Sequence, residues 1–246
     1  MKTSYKKSVV AFMDILGFEA LVKNIDDDPK LHETVYNSLS KIHAIANKID
    51  NPNFPDINQN LNVSVFSDCI AITCDMEEIG HLFWTCGHLQ ADLMFNGVLL
   101  RGGISYGKVI HEGNLLYGKG LIDAYKLESK AASYPRIIFD PILIDSLAPV
   151  WKADFMRTDQ DGFLAIDPFK FEVGHPYCPI LEEEGECPRY LYLLEAAQRI
   201  KEGFQKAYSL DQKAKWLWLE LSYNEAVSAY NEEFSSNLAL SRIQGV

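Results

Sequence analysis

The sequence predicts an α/β sandwich of the α+β kind, a mostly antiparallel sheet with helices packed on one face and two further helices at the C-terminal end. Three observations predict it. Short β-branched runs recur at Val9–Met13 and within Val63–Ile72. Apolar residues at helical spacing fill Glu77 to Phe95. Two long amphipathic stretches follow Pro188.

Val9 to Met13 suits a buried strand, and Gly17-Phe18 opens a helix running towards Asn24. A second helix covers Leu31 to Ile49, and the polar, proline-bearing segment Asp50 to Asn60 is a loop. Apolar residues alternate at Val63 and Val65 and again at Ile70 and Ile72, so "LNVSVFSDCIAIT" reads as a hairpin with Asp68 near its tip. Ile79, Leu82, Phe83, Cys86, Leu89, Leu93 and Met94 define the inner face of the next helix. "VLLRGGISYGKVI" is a strand, expected to bend or break at Gly102-Gly103. Gly118 to Ala131 is a helix with Leu121, Ala124, Tyr125 and Leu127 facing inward, and "RIIFD" is a strand. Residues 151 to 185 read as irregular, with a strand at Gly162 to Ile166. The last helix covers "DQKAKWLWLELSYNEAVSAYNEEF", where Trp216, Trp218 and Leu219 serve packing. A division into a core at 1–150 and an extension at 151–246 packed on it is expected.

The 246 residues are 48% hydrophobic and 23% charged, the balance of a folded soluble protein. A net charge of -11 argues against nucleic acid or anionic lipid as a partner, because such binding needs clustered Lys and Arg. No apolar run approaches the roughly 20 residues that span a bilayer, and the N-terminus does not read as a signal peptide, so a cytoplasmic location is expected. The cysteines at 69, 74, 86, 178 and 187 form no CxxC pair and read as reduced thiols. His81 and His88 are too far apart on their helix to share a metal, and "EEEGE" at 182–186 reads as a solvated loop.

Asp14 closes the apolar run "VVAFMDILGF". In a sheet of this order the first strand lies beside the second strand of the hairpin, which brings Asp14 to Asp68. Two such carboxylates share a proton or hold a cation. Hard oxygen ligands suit Mg²⁺ or Mn²⁺, and the amides of Leu16, Gly17 and Phe18 could face a phosphate. The alternative is that Asp14 caps a helix and Asp68 stabilises a turn.

"VVAFMDILGF", "VFSDCIAIT", "LLRGGISYGKV" and "LYGKGLIDAYKLES", in this order across residues 8 to 140, resemble the class III nucleotide cyclase catalytic domain. With "YPRIIFDP" and the tail "KWLWLELSYN", the chain looks most like the Pycsar pyrimidine cyclases of bacterial anti-phage defence. The resemblance implies that Asp14 and Asp68 hold two divalent ions, Mn²⁺ or Mg²⁺, with the backbone carbonyl of Ile15 completing one shell. It implies UTP or CTP as substrate, UTP preferred, a cyclic monophosphate and pyrophosphate as products, and a separate effector protein that senses the product. It also implies a homodimer with composite active sites.

The family's ribose-orienting asparagine and transition-state arginine align with Ile122 and Lys126, leaving Lys126 as a catalytic candidate. Its adenine-selecting lysine and aspartate align near Ser64 and Leu115, so neither adenine-specifying side chain is present. Ser64 and Phe66 sit where a pyrimidine edge could be read. Arg101 could reach phosphate or pair with a carboxylate at the sheet edge, and Lys119 and Arg136 are weaker phosphate candidates. A purine cyclase, or a catalytically silent nucleotide-sensing domain, are the alternatives.

Overall fold

The computed structural model describes residues 5–46, 60–171, 188–233 and 239–244. The chain runs through β1 (Lys6–Ile15), α1 (Phe18–Lys23), α2 (Pro29–Ala46), β2 (Asn62–Phe66), β3 (Cys69–Cys74), α3 (Ile79–Phe95), β4 (Leu100–Glu112), β5 (Leu115–Gly118) and α4 (Lys119–Lys126). It continues through β6 (Ile137–Phe139), α5 (Pro149–Asp154), β7 (Met156–Thr158), β8 (Leu164–Ile166), α6 (Pro188–Lys206) and α7 (Leu210–Glu233). One eight-stranded sheet has the order β2-β3-β1-β4-β6-β8-β7, with β5 folded back on β4. Every pairing is antiparallel except that of β4 with β6. The architecture is therefore mixed α+β.

The central strand β1 is buried on both sides. Val9, Ala11, Met13 and Ile15 enter the main core with Ile70 and Ile72 of β3 and Leu82, Phe83 and Cys86 of α3. Val10 points the other way, to a smaller cluster with Val109 and Ala124, against which Phe12 and Leu121 pack. Helices thus cover both faces, not one as the sequence reading had it. The unbroken apolar run from Val9 to Met13 is the physical trace of this, because a strand covered on one side only would alternate.

β4 also differs from expectation. It is continuous over 13 residues and stays in register with β1 from Leu100 opposite Ile15 to Val109 opposite Lys6. Its glycines make room instead of breaking the strand. A Cβ on Gly103 would lie 2.6 Å from the Ala124 carbonyl oxygen and 2.9 Å from the Glu128 nitrogen, and closer still to the Leu127 side chain. At Gly107 the helix crosses through Gly120, whose Cα would be 2.7 Å from an added Cβ. The close approach lets the Ser105 hydroxyl donate to the Gly120 carbonyl at 2.7 Å.

The expected helix from Gly118 to Ala131 is α4 followed by a π-helical turn, Leu127–Ala131. Tyr125, expected to face inward, is half exposed, its ring edge against Phe12 at 5.5 Å. Within 151–185 the strand at Leu164–Ile166 is present and pairs with both β6 and the unforeseen β7, which extends the same sheet. In the tail, Trp216 closes over Gly203, where a Cβ would overlap its ring, and Trp218 stacks on Tyr134 at 5.8 Å. The acidic run 182–186, Cys178, Cys187 and the loop 50–59 lie outside the described residues.

Replacing Gly103 with Ala should drive a methyl group into α4 and the π turn, costing about 1–3 kcal/mol. Urea unfolding should show the loss as a lower midpoint with an unchanged slope.

Candidate functional site

The antiparallel register brings distant residues to one end of the sheet. Asp14, the penultimate residue of β1, lies opposite Cys69 of β3 on one side and Arg101 of β4 on the other. The β2–β3 turn holds Ser67 at φ 56, the one non-glycine residue with positive φ among the described residues. Beyond it, the Asp68 carbonyl accepts a hydrogen bond from the Ile15 amide at 3.2 Å, which ties the turn to the end of β1. One ligand atom each from Asp14, Asp68 and Cys69 then lie within 4.8 Å of one another.

The electrostatics of this cluster are unbalanced. Burial pushes the Asp14 carboxyl up to about 6 from its ordinary 3.8, the charges of Asp68 and Glu128 push in the same direction, and Arg101 opposes them. Burial, then Asp14, Asp68 and Glu128, push the Cys69 thiol up to about 11, so it is protonated near neutral pH. The thiol sits 3.8 Å from Asp14 Oδ1 as a weak donor. Burial also raises Glu128, against the pull of Arg101.

Two of these carboxylates, Asp14 and Glu128, share one arginine. Arg101 lies 3.7 Å from Asp14 through its terminal nitrogen and contacts Glu128 more closely through Nε. The Glu128 contact is an ion pair without an aligned N–H···O bond, since both atoms lack a hydrogen-bond partner.

These donors fit a hard divalent cation. Two carboxylates converge, the neighbouring thiol is neutral, and the acids outnumber the cation beside them. Ile15 is buried through its side chain, so only its backbone carbonyl can contribute.

The other candidates fall as follows. The Leu16 amide is committed to the Leu99 carbonyl at 2.8 Å, which corrects its assignment to a phosphate cradle, because its hydrogen is already donated. Gly17 takes φ 75 and leads into α1, and Phe18 packs against the main core. Ser64 is drawn to the β4–β5 turn, its hydroxyl donating to the Gly113 carbonyl at 3.1 Å and lying 2.8 Å from His111 Nε2. Phe66 is 83% exposed at the end of β2. Lys126 is exposed on the outer side of α4. Arg136 is no phosphate ligand: it is 1% exposed and bound to Asp159 and Asp161. Lys119 pairs with Asp123 on the surface.

Glu128 and Cys69 were missed. Glu128 carries no role in the sequence reading, yet it is 2% exposed and faces Arg101. The signal was present, because Leu121, Ala124 and Glu128 stand at i, i+3 and i+7, so an acid interrupts the inward helix face. Cys69 follows Asp68 directly and is the cross-strand partner of Asp14.

The raised Asp14 sets a pH dependence. In metal-free protein its carboxyl binds protons more tightly folded than unfolded, so stability falls as pH rises from about 4 to about 6 and stays lowered above that. Asp14→Asn should be more stable than the parent at pH 8 by about 1–2 kcal/mol, after allowing for solvent screening, and equal to it near pH 4. Urea titrations in chelator at both pH values check this.

No protein-family model matches the chain, and no curated protein matches it by sequence. Among solved structures, two of a bacterial light-regulated adenylyl cyclase are similar at 16% and 14% identity, with TM-scores of 0.40 and 0.41. The match covers 66% and 67% of this chain, which spans 52% of the length of each. The guanylyl cyclase Cya2 is similar at 11% identity and a TM-score of 0.39, over 68% of this chain and 93% of that one. At such distances the chemistry has to be read from the side chains themselves.

Proposed function

We propose that the chain is a class III, metal-dependent nucleotide cyclase that converts UTP, or CTP, to the 3′,5′-cyclic monophosphate and pyrophosphate. The observation that carries this reading is the convergence of Asp14 and Asp68 beside a surplus of negative charge. Asp14, Asp68 and the Ile15 carbonyl would hold two ions, Mn²⁺ or Mg²⁺. Bound there, such ions would acidify the ribose 3′-hydroxyl and neutralise the triphosphate.

The remaining work belongs to the chain. The bond from the 3′-oxygen to the α-phosphorus forms as the bond from that phosphorus to the pyrophosphate oxygen breaks, and the hydroxyl proton leaves to water. Asp14 and Asp68 would fix where the ions, and with them the triphosphate, sit, and the amides of Gly17 and Phe18 lie at the following turn. Lys126 supplies positive charge without the fork of an arginine. The pyrimidine preference is supported by Ser64 and Leu115, which stand where the family's adenine-selecting lysine and aspartate would be and lack the charged groups that read an adenine edge.

In this reading residues 1–150 form the catalytic core and 151–246 an extension on it. The active unit is a homodimer with composite sites, for which exposed Leu115 and Tyr117 of β5 and Ile122 and Tyr125 of α4 offer apolar surface. The product is a second messenger for a separate effector protein in anti-phage defence, made in the cytoplasm. No described helix is long and apolar enough to cross a membrane.

A second reading, a silent nucleotide-sensing domain, is favoured by one observation. Ile122 and Lys126 stand where the family's asparagine and arginine would be, and both are exposed.

Incubation of purified protein with each of the four ribonucleoside triphosphates and Mn²⁺ should give a cyclic product and pyrophosphate, fastest from UTP. Asp14→Ala should lower the rate by at least about 100-fold. Purine products would overturn the pyrimidine assignment. Tight nucleotide binding without turnover, unchanged in Asp14→Ala, would support the silent domain.

A further inference from the structure

We infer that Glu128 is a positioning residue that holds the Arg101 guanidinium away from Asp14, keeping the Asp14 carboxylate available to a divalent cation. The inference rests on the metal site proposed above, and it concerns a residue outside that site's ligands.

The sheet alone would produce a different arrangement. Asp14 and Arg101 are direct partners across the β1–β4 ladder. Opposite charges at such positions lie near enough to pair. A guanidinium seated on Asp14 would neutralise it and compete with any cation for the same oxygens.

The observed geometry departs from this pairing. The nearest Arg101 nitrogen stands 3.7 Å from Asp14, while Nε is in close contact with Glu128. Glu128 is delivered from the helical layer packed on this same face of the sheet, by the π-helical turn Leu127–Ala131 that passes over Gly103.

That turn is held in place from several directions. The Ala132 amide donates to the Leu127 carbonyl at 2.8 Å, and buried Arg136 donates to the Ala131 carbonyl at 3.1 Å. Gly103 has no side chain, which lets the Glu128 backbone approach the strand that carries Arg101. A π turn shifts the residues after it around the helix axis and is frequent where a side chain must be re-aimed. Glu128 and Arg101 also lack an aligned hydrogen bond, so charge and position hold the guanidinium there. Remove the pull of Glu128, and Arg101 has Asp14 as its remaining acidic neighbour across the ladder.

Mn²⁺ binding to nucleotide-free full chain, followed by the electron paramagnetic resonance signal of free Mn²⁺, tests this without turnover. Glu128→Gln should weaken binding about 10-fold, as loss of an outer partner commonly does. Glu128→Asp keeps the charge but shortens the reach, and should weaken it several-fold. In an Arg101→Gln background both substitutions should change affinity by less than about 2-fold, because the competing guanidinium is gone.

Equal weakening with and without Arg101 would overturn the inference, since it would mean that Glu128 acts only through space. So would an unchanged affinity in Glu128→Asp, which carries the test alone if Glu128→Gln does not fold. Wild-type protein that binds no Mn²⁺ overturns the metal site and this inference together. Binding to wild type that neither Glu128 variant weakens overturns this inference alone.

Discussion

The cross-strand register of β1 is the constraint on which the rest depends. It seats Asp14 between Cys69 and Arg101, and the Ile15 amide bonded to the Asp68 carbonyl holds the hairpin turn against the same strand end. A slip of one residue would turn Asp14 into the main core and Met13 out of it. That slip is prevented because Val9, Ala11, Met13 and Ile15 are all buried on the core side. Apolar packing along the strand thus secures a costly cluster of like charges at its end. Burial first, and the charges of Asp68 and Glu128 after it, raise the Asp14 carboxyl there.

The second face of the sheet serves the same end. α4 crosses it at Gly107 and Gly120 and passes over Gly103, and only glycines permit backbones to come so close. The approach brings a third acid, Glu128, to the site from a different layer. One arginine then answers to two layers at once, facing Asp14 within the sheet and Glu128 above it.

Beneath the π turn lies a second group of charges, built on buried Arg136 and Asp159 with exposed Asp161 and Glu225 at its edge. Arg136 binds Asp159 and Asp161, Arg157 donates to Asp159 at 3.0 Å, and Arg157 also lies over the Trp218 ring at 5.4 Å and pairs with Glu225. Arg136 holds the Asp161 carboxyl below its usual range. Burying such groups costs desolvation, and removing one partner would strand the others, so the group acts as a clamp on geometry more than as a source of stability. It joins the turn that carries Glu128, the β7–β8 hairpin and α7. The tail helices are thereby part of the scaffold around the site.

Much of the fold was legible because the periodicities are local. The β1 run, the β2–β3 hairpin, α3 and the tail helices each announce themselves through spacing of 2 or 3.6 residues. Helices on both faces were legible in principle from the unbroken run Val9–Met13, whereas β7 was too short to leave a pattern. Double glycine read as a break in β4 because sequence does not say whether a glycine bends a strand or admits a neighbour.

At the site, the sequence alone determined that Asp14 and Asp68 are acids set at the ends of apolar segments, a placement that burial penalises unless something compensates. Only the tertiary structure decided that Glu128 joins them, that Arg101 is shared and that the Leu16 amide is already taken. Those facts depend on which backbones pass within a few ångströms of one another, and pairing between distant segments is set by the packing of the whole sheet, not by the residues on either side.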